Sequence, residues 1–419
     1  MKKQASVKRF TFVDLFCGAG GLTEGLLLAE NLLGQFQLVG ASDINDTARM
    51  THVGRFHEQL GLSYGFVVKD IRDEQFLDEL VESIVSNSGA SGIDVLCGGP
   101  PCQGFSVYGS RNEKDPRNDL FKFYIKVVAE LRPKYFVMEN VPGLVTMYGG
   151  KIPLAIKDIV DETTKGNYAI SGPIFVNSAD FGVPQTRERV IFFGYRNDVE
   201  PIDFAPRKVE KWLTVKDAIS DLAFLRSWET AKNYCDDFPA MTQYQIESRR
   251  GRLFHKLGIP REDNSVYNHE AAKHTPDVIA RFAMVEKGRG LESIPVGLWA
   301  AHLKTDKKWC VRLDENKPSY TVTTLPDDMI HYSNHRILTV REMARLQSFD
   351  DTYVFRGPRA TGGGGVGNRK RLVELPQYTQ VGNAVPPLLG KIIGETLLQS
   401  LIRTEREKEM NEDVSVNIS

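Results

Sequence analysis

Four short stretches of this chain combine residue types that could carry out chemistry. GGPPCQGFS, Gly98 to Ser106, sets a thiol, Cys102, just past the apolar run IDVLC, which reads as a buried strand. The two prolines bar a helix and the glycines clear space, so the thiol stands on a stiff loop at a strand end. A free cysteine titrates near pH 8.5; backbone amides or a cation nearby would raise its thiolate fraction and make it a nucleophile. Cys97, inside the strand, reads as core. ENV, Glu139 to Val141, ends another apolar run, so Glu139 would face the thiol across one pocket, where burial could fit it to donate a proton. In QTRER, period two predicts Gln185, Arg187 and Arg189 on one strand face, and paired arginines suit an anion or a polarised carbonyl. DLFCGAGG, Asp14 to Gly21, puts a glycine-rich turn before a helix, where backbone amides can face a ligand. The third glycine of the dinucleotide fingerprint would fall on Thr23, so this is a different loop. Asp43 and Asp70 end the next two strands and would line the same crevice; an acid after the second strand commonly accepts hydrogen bonds from ribose hydroxyls.

Positioning these residues takes a sheet. FTFVDLF, FQLVGASD, GFVVKD, IDVLC and KYFVMEN alternate with segments such as EQFLDELVESIV that carry apolar residues at helical spacing. That alternation predicts right-handed crossovers and a mostly parallel α/β sheet over residues 1–200, with YAISGPIFV and RERVIFFGY as further strands. Residues 201–379 form a second, smaller and irregular domain in this reading; within it, 207–335 show no sustained period. Order returns at TVREMARLQSF, where Thr339 and Glu342 have capping-box spacing. A glycine-rich segment, ATGGGGVGNRKR, follows, and 380–402 return to the first domain as a proline-initiated helix. The charged tail 403–419 reads as disordered.

Composition bounds the partners. The 419 residues are 41% apolar and 26% charged, as in ordinary globular proteins. No apolar run approaches the roughly 18 residues of a membrane span, and the start MKKQASVKRF has no secretory apolar region. Five cysteines, an odd number without repeated spacing, point to a reducing, cytoplasmic setting. A net charge of -1 does not announce a nucleic-acid binder, yet Thr352 to Val373 carries Arg356, Arg359, Arg369, Lys370 and Arg371 and no acid. Such a run could meet phosphates. His331 and His335 are four apart in HYSNH, which does not read as a helix and lacks a third ligand, so no metal is expected.

Taken together, these motifs resemble the DNA (cytosine-5) methyltransferase family of bacterial or phage restriction-modification type. FVDLFCGAGG resembles its S-adenosylmethionine loop, GGPPCQGFS its catalytic loop, MENVPG its glutamate motif and QTRERV its paired-arginine strand. RILTVREMARLQSF and QVGNAVPP resemble its two closing motifs. The resemblance implies a Rossmann-like fold and methyl transfer to C5 of a cytosine flipped out of a specific double-stranded sequence. Cys102 would add to C6, Glu139 would hold N3 and Arg187 would hold O2, with Gln185 and Arg189 completing the catalytic set. S-adenosylmethionine would lie on Phe16, Gly18, Gly20, Gly21, Asp43, Ile44, Asp70, Ile71, Pro101, Leu120, Asn383 and Val385. Asp43 would take the ribose although the family usually has glutamate there, and Asp70 the adenine amine. Gln103, Ser106, Arg117, Arg356, Arg359 and Arg369 would meet DNA. The resemblance further implies a monomer, possible functional pairing with a cognate restriction endonuclease, and a target recognition role for the irregular interval. The insertion 360–371 departs from the family pattern and would add a basic DNA contact. Relatives that methylate tRNA share the motifs but have a compact recognition region, and inert DNA-binding relatives usually lose PCQ or ENV.

Overall fold

The computed structural model describes residues 7–90, 92–101, 120–298, 305, 307, 309–360 and 374–416. The apolar runs form one sheet of seven strands: β1 (Lys8–Leu15), β2 (Gly34–Asp43), β3 (Gly65–Val68), β4 (Val95–Gly98), β5 (Tyr135–Asn140), β6 (Tyr168–Asn177) and β7 (Glu188–Arg196). Their order is β3-β2-β1-β4-β5-β7-β6. The first five are parallel, whereas β7 runs antiparallel between β5 and β6. That reversal has a chemical consequence. β7 enters the sheet at the edge where β1, β2, β4 and β5 leave it, so its first residues share their carboxyl edge.

The central strands β1, β4 and β5 are buried on both faces over most of their length, which is why they read as apolar runs rather than alternations. Along β1, Phe10 and Phe12 enter one core while Val13 and Leu15 enter the other; along β5, Tyr135 and Val137 oppose Phe136 and Met138. The first core is closed by helix α1 (Gly21–Leu28), through Leu22 and Leu26, and by the long helix Pro387–Val416, through Leu389, Ile393 and Leu397. The second is closed by α2 (Phe76–Ser88), α3 (Leu120–Leu131) and the helix Ile152–Thr164, through Leu80, Ile84, Tyr124, Ile125 and Val160. Among the described residues no helix is long and apolar enough to cross a membrane.

Between residue 206 and the closing helix Pro387–Val416 the elements are short, such as the helices Val215–Ile219, Gln243–Arg250 and Pro276–Met284 and the two-residue strands Val311–Arg312 and Met329–Ile330. Buried charge pairs tie them together. Arg345 lies between Asp221 (Nη1–Oδ1 3.1 Å) and Asp351 (Nε–Oδ1 2.6 Å), all three side chains being fully enclosed. Such a cation survives burial only because both acids and a carbonyl, that of Ala218, accept from it. The capping box forms as spaced: Thr339 Oγ1 accepts from the Glu342 amide at 3.1 Å, and the Glu342 carboxylate accepts from the Thr339 amide at 2.8 Å, opening the helix Val340–Leu346. His331 and His335 take separate partners. His331 Nδ1 accepts the amides of Ser333 and Asn334 at 3.2 and 3.1 Å, while His335 Nδ1 stands 3.1 Å from Arg312 Nη2.

Candidate active site at the carboxyl edge

The turn after β1 is built on left-handed residues. Phe16, Gly18 and Gly20 have φ of 55°, 54° and 91°. Glycine is required at the last of these for a second reason. A Cβ on Gly20 would stand 2.5 Å from Phe56 and 2.8 Å from His52. Gly21 is equally confined, since a Cβ there would meet the Val385 carbonyl at 2.1 Å; this close approach brings the closing QVGNAVPP segment against the turn. Gly18, by contrast, has open space where a side chain would stand. Asp43, at the end of β2, accepts the Gly18 amide at 2.9 Å and the Asn45 amide at 2.8 Å, so strand and turn are fastened together. Burial raises the Asp43 carboxyl above its ordinary range despite those amides. Asp70 pairs with Arg72, whose Nε lies 2.9 and 3.1 Å from its two oxygens; this hydrogen bonding lowers its pKa.

Around the same edge, Phe16 is half-buried, Ile44 exposed, and Ile71 and Leu120 buried. Asn383 is exposed at the end of the helix Gln377–Asn383, two residues before the buried Val385. Cys102, Gln103, Ser106, Arg117 and Arg369 lie outside the described residues. The approach to the thiol is described as far as Pro101. Asn140 Nδ2 donates to the Pro100 carbonyl at 3.1 Å, and a Cβ on Gly99 would lie 3.4 Å from Glu139 Oε2. The loop that leads to Cys102 thus starts against Glu139. Asn140 was not singled out by the sequence reading, although the ENV motif contains it.

Glu139 is paired with a cation. Arg189 Nε lies 2.8 Å from its Oε1, with both side chains nearly enclosed. The expectation that Gln185, Arg187 and Arg189 share a strand face is corrected by this geometry. β7 starts only at Glu188. Gln185 points into the interior, donating to the Leu346 carbonyl at 2.9 Å and accepting the Val322 amide at 2.9 Å. Arg187 also turns inward: Nη1 donates to the Val322 carbonyl at 3.0 Å, and Nη2 to those of Gly382 and Ala384 at 3.0 and 3.2 Å. Burial pushes its pKa well below the usual arginine range, with Arg189 adding to the effect. Arg187 therefore braces two backbone segments, at Val322 and at Gly382–Ala384, while the Arg189 guanidinium stands at Glu139. Two of the expected phosphate contacts also have acidic partners. Arg356 binds Glu58, with Nη1–Oε1 at 2.9 Å, and Arg359 Nη1 lies 2.8 Å from Glu270 Oε1.

The strand order with one reversed strand, the glycine turn after β1 and the acid after β2 define a Rossmann-like α/β enzyme of the S-adenosylmethionine-dependent kind. A carboxylate–guanidinium pair beside the Gly99–Pro101 segment narrows the chemistry. The chain matches the C-5 cytosine-specific DNA methylase family over residues 10–399, and it belongs to that family. It is 32% identical to Type II methyltransferase M.DdeI of Desulfomicrobium norvegicum over 92% of this chain and 88% of that one. It is 33% identical to Type II methyltransferase M1.HphI of Haemophilus parahaemolyticus, over 93% and 87%. Among solved structures, a putative DNA modification methyltransferase encoded within a prophage of Escherichia coli superposes with a TM-score of 0.68 at 25% identity, covering 94% of this chain and 99% of that one. The chain is accordingly a DNA (cytosine-5) methyltransferase of restriction-modification type.

Proposed function

We propose that this enzyme methylates a cytosine flipped out of a specific double-stranded DNA sequence, through a covalent bond from Cys102 to C6. The observation that carries the reading is the Glu139–Arg189 pair at 2.8 Å, standing beside the Gly99–Pro101 approach to the thiol. Cytosine presents N3 and O2 on one edge, and this pair offers a carboxyl group to the first and a guanidinium to the second. Holding both stabilises the electron density that builds up as the Cys102 thiolate bonds to C6. That density moves to C5, which becomes a carbon nucleophile. S-adenosylmethionine, when bound, would supply the electrophilic methyl group that C5 accepts, the electrons of the broken S–CH3 bond staying on sulfur in S-adenosylhomocysteine. Loss of the C5 proton then re-forms the ring double bond as the C6–S bond breaks, returning the thiolate. One hard substitution on an aromatic ring is thereby divided into two easier steps. The base must leave the stack first, because neither Cys102 nor Glu139 can reach it within a duplex.

The turn fits the cofactor in kind. Open space over Gly18, amides at the start of α1, and the acceptors Asp43 and Asp70 supply a cradle for an adenosine with ribose hydroxyls and an exocyclic amine. Phe16, Ile44, Ile71, Pro101, Leu120, Asn383 and Val385 would complete it. The irregular interval 207–335 would read the DNA sequence, and one enzyme would act per site as a monomer. Bisulfite sequencing of a methylation-free host expressing the protein tests this reading. Protected cytosines confined to one short motif, absent with Cys102→Ser, are expected; a soluble protein leaving no protected motif contradicts it and directs attention to tRNA.

A further inference from the structure

We propose that Tyr353 is a positioning residue for the turn Cys17–Gly21, fixing it in the conformation that binds S-adenosylmethionine. The inference rests on reading that turn as the cofactor site. Tyr353 is fully buried, and its hydroxyl donates to the Ala19 carbonyl, 334 positions away in the chain. The N–H of the same peptide unit, on Gly20, donates to the Cys17 carbonyl at 2.8 Å. The Ala19–Gly20 peptide is thus held on both sides, once from within the turn and once from the segment that follows the helix Val340–Leu346.

The ring that carries this hydroxyl has little freedom. Phe349 packs against it edge-on at 4.7 Å between centroids, and the Arg55 guanidinium sits 5.0 Å from its centre. Arg55 is itself fastened, donating through Nε to Glu24 of α1 at 3.0 Å and through Nη1 to Thr352 Oγ1 at 2.9 Å. The floor is also tight against the turn, because a Cβ on Gly20 would stand 2.9 Å from the Tyr353 hydroxyl. Burial raises the phenol well above its ordinary pKa, with Glu24 adding to the shift, so it remains a donor at any working pH. Without that donor the Ala19 carbonyl is a buried acceptor left unpaired, and the peptide gains the freedom to rotate. A turn that spends only part of its time in the binding conformation binds its ligand more weakly by that fraction.

Tyr353→Phe removes the hydroxyl and keeps the ring. Isothermal titration of the full chain with S-adenosylmethionine, without DNA, should show the dissociation constant raised about fivefold, the scale of one net hydrogen bond. KM for the cofactor should rise in parallel while kcat at saturation changes less than twofold. A merely structural role would lower the active fraction, and hence kcat, at an unchanged KM. Arg55→Lys, which loses the planar fork over the ring, should raise the dissociation constant in the same direction by a smaller factor. Unchanged binding in both variants, beside a wild type that binds, overturns the positioning role. A wild type that does not bind S-adenosylmethionine overturns the reading of the turn itself.

Discussion

Glu342→Gln should destabilise the protein by about 3 kcal/mol at neutral pH and remove part of its acid sensitivity. The Glu342 carboxylate is fully buried and accepts from Arg336 Nη1 and Nη2 at 2.7 Å each and from the Thr339 amide at 2.8 Å. Burial alone would raise its pKa; the doubly hydrogen-bonded Arg336 outweighs that and holds it at about 2, against an ordinary 4.5. A folded-state pKa depressed by about 2.5 units corresponds to roughly 3 kcal/mol at 1.36 kcal/mol per unit. The sign follows from the direction. This stability is complete above pH 4.5, and falls as pH drops through the folded value, with about 2 kcal/mol gone by pH 3. Urea unfolding of wild type and variant at pH 7, 5 and 3 reads both quantities. The gap between them should be full at pH 7, nearly so at pH 5 and clearly reduced at pH 3. In a thermal melt, an unfolding entropy of about 2 cal/mol/K per residue turns the neutral gap into only about 4 °C. A gap independent of pH would refute the reasoning, as would a variant as stable as the wild type at pH 7.

The two arginines of QTRER should separate cleanly. Arg189→Ala should lower kcat by a hundredfold or more, the scale of one lost transition-state donor, with S-adenosylmethionine binding and melting temperature nearly unchanged; calorimetry beside single-turnover rates checks this. Arg187→Ala strands three buried carbonyls and should instead lower the urea midpoint and the soluble yield. Gly20→Ala places a methyl group within 2.5 Å of Phe56 at a φ of 91°, and should abolish cofactor binding in equilibrium dialysis before it abolishes folding.

The sheet was legible because its central strands are buried on both faces, as Val95–Gly98 and Tyr135–Asn140 show. Continuous apolar runs need no partner information to be recognised. The reversal of β7 was not legible, since strand direction leaves no mark on a run such as RVIFFG. Reading QTRER as a strand throughout put Gln185 and Arg187 on the face of Arg189, where the structure turns both inward. Period two holds only inside a strand, and Arg187 lies one residue before this one begins. The basic run from Arg356 hid its partners in a different way. It lacks acids locally, but Glu58 and Glu270, 298 and 89 residues distant, supply them. The interval after residue 206 stayed opaque because arginines such as Arg312 and Arg345 hold it, bonding to carbonyls and acids without any period.

Methyl transfer by this route requires a covalent bond between Cys102 and cytosine C6, and trapping that bond tests it most directly. DNA carrying the methylated motif, with fluorine at C5 of the target cytosine, offers no proton to lose after methyl transfer, so the thiolate cannot leave. Denaturing electrophoresis should then show a protein–DNA species that survives heating, requires S-adenosylmethionine and is absent with Cys102→Ser. Failure of the wild type to form it on a sequence that it methylates, or methylation by Cys102→Ser, would contradict the account.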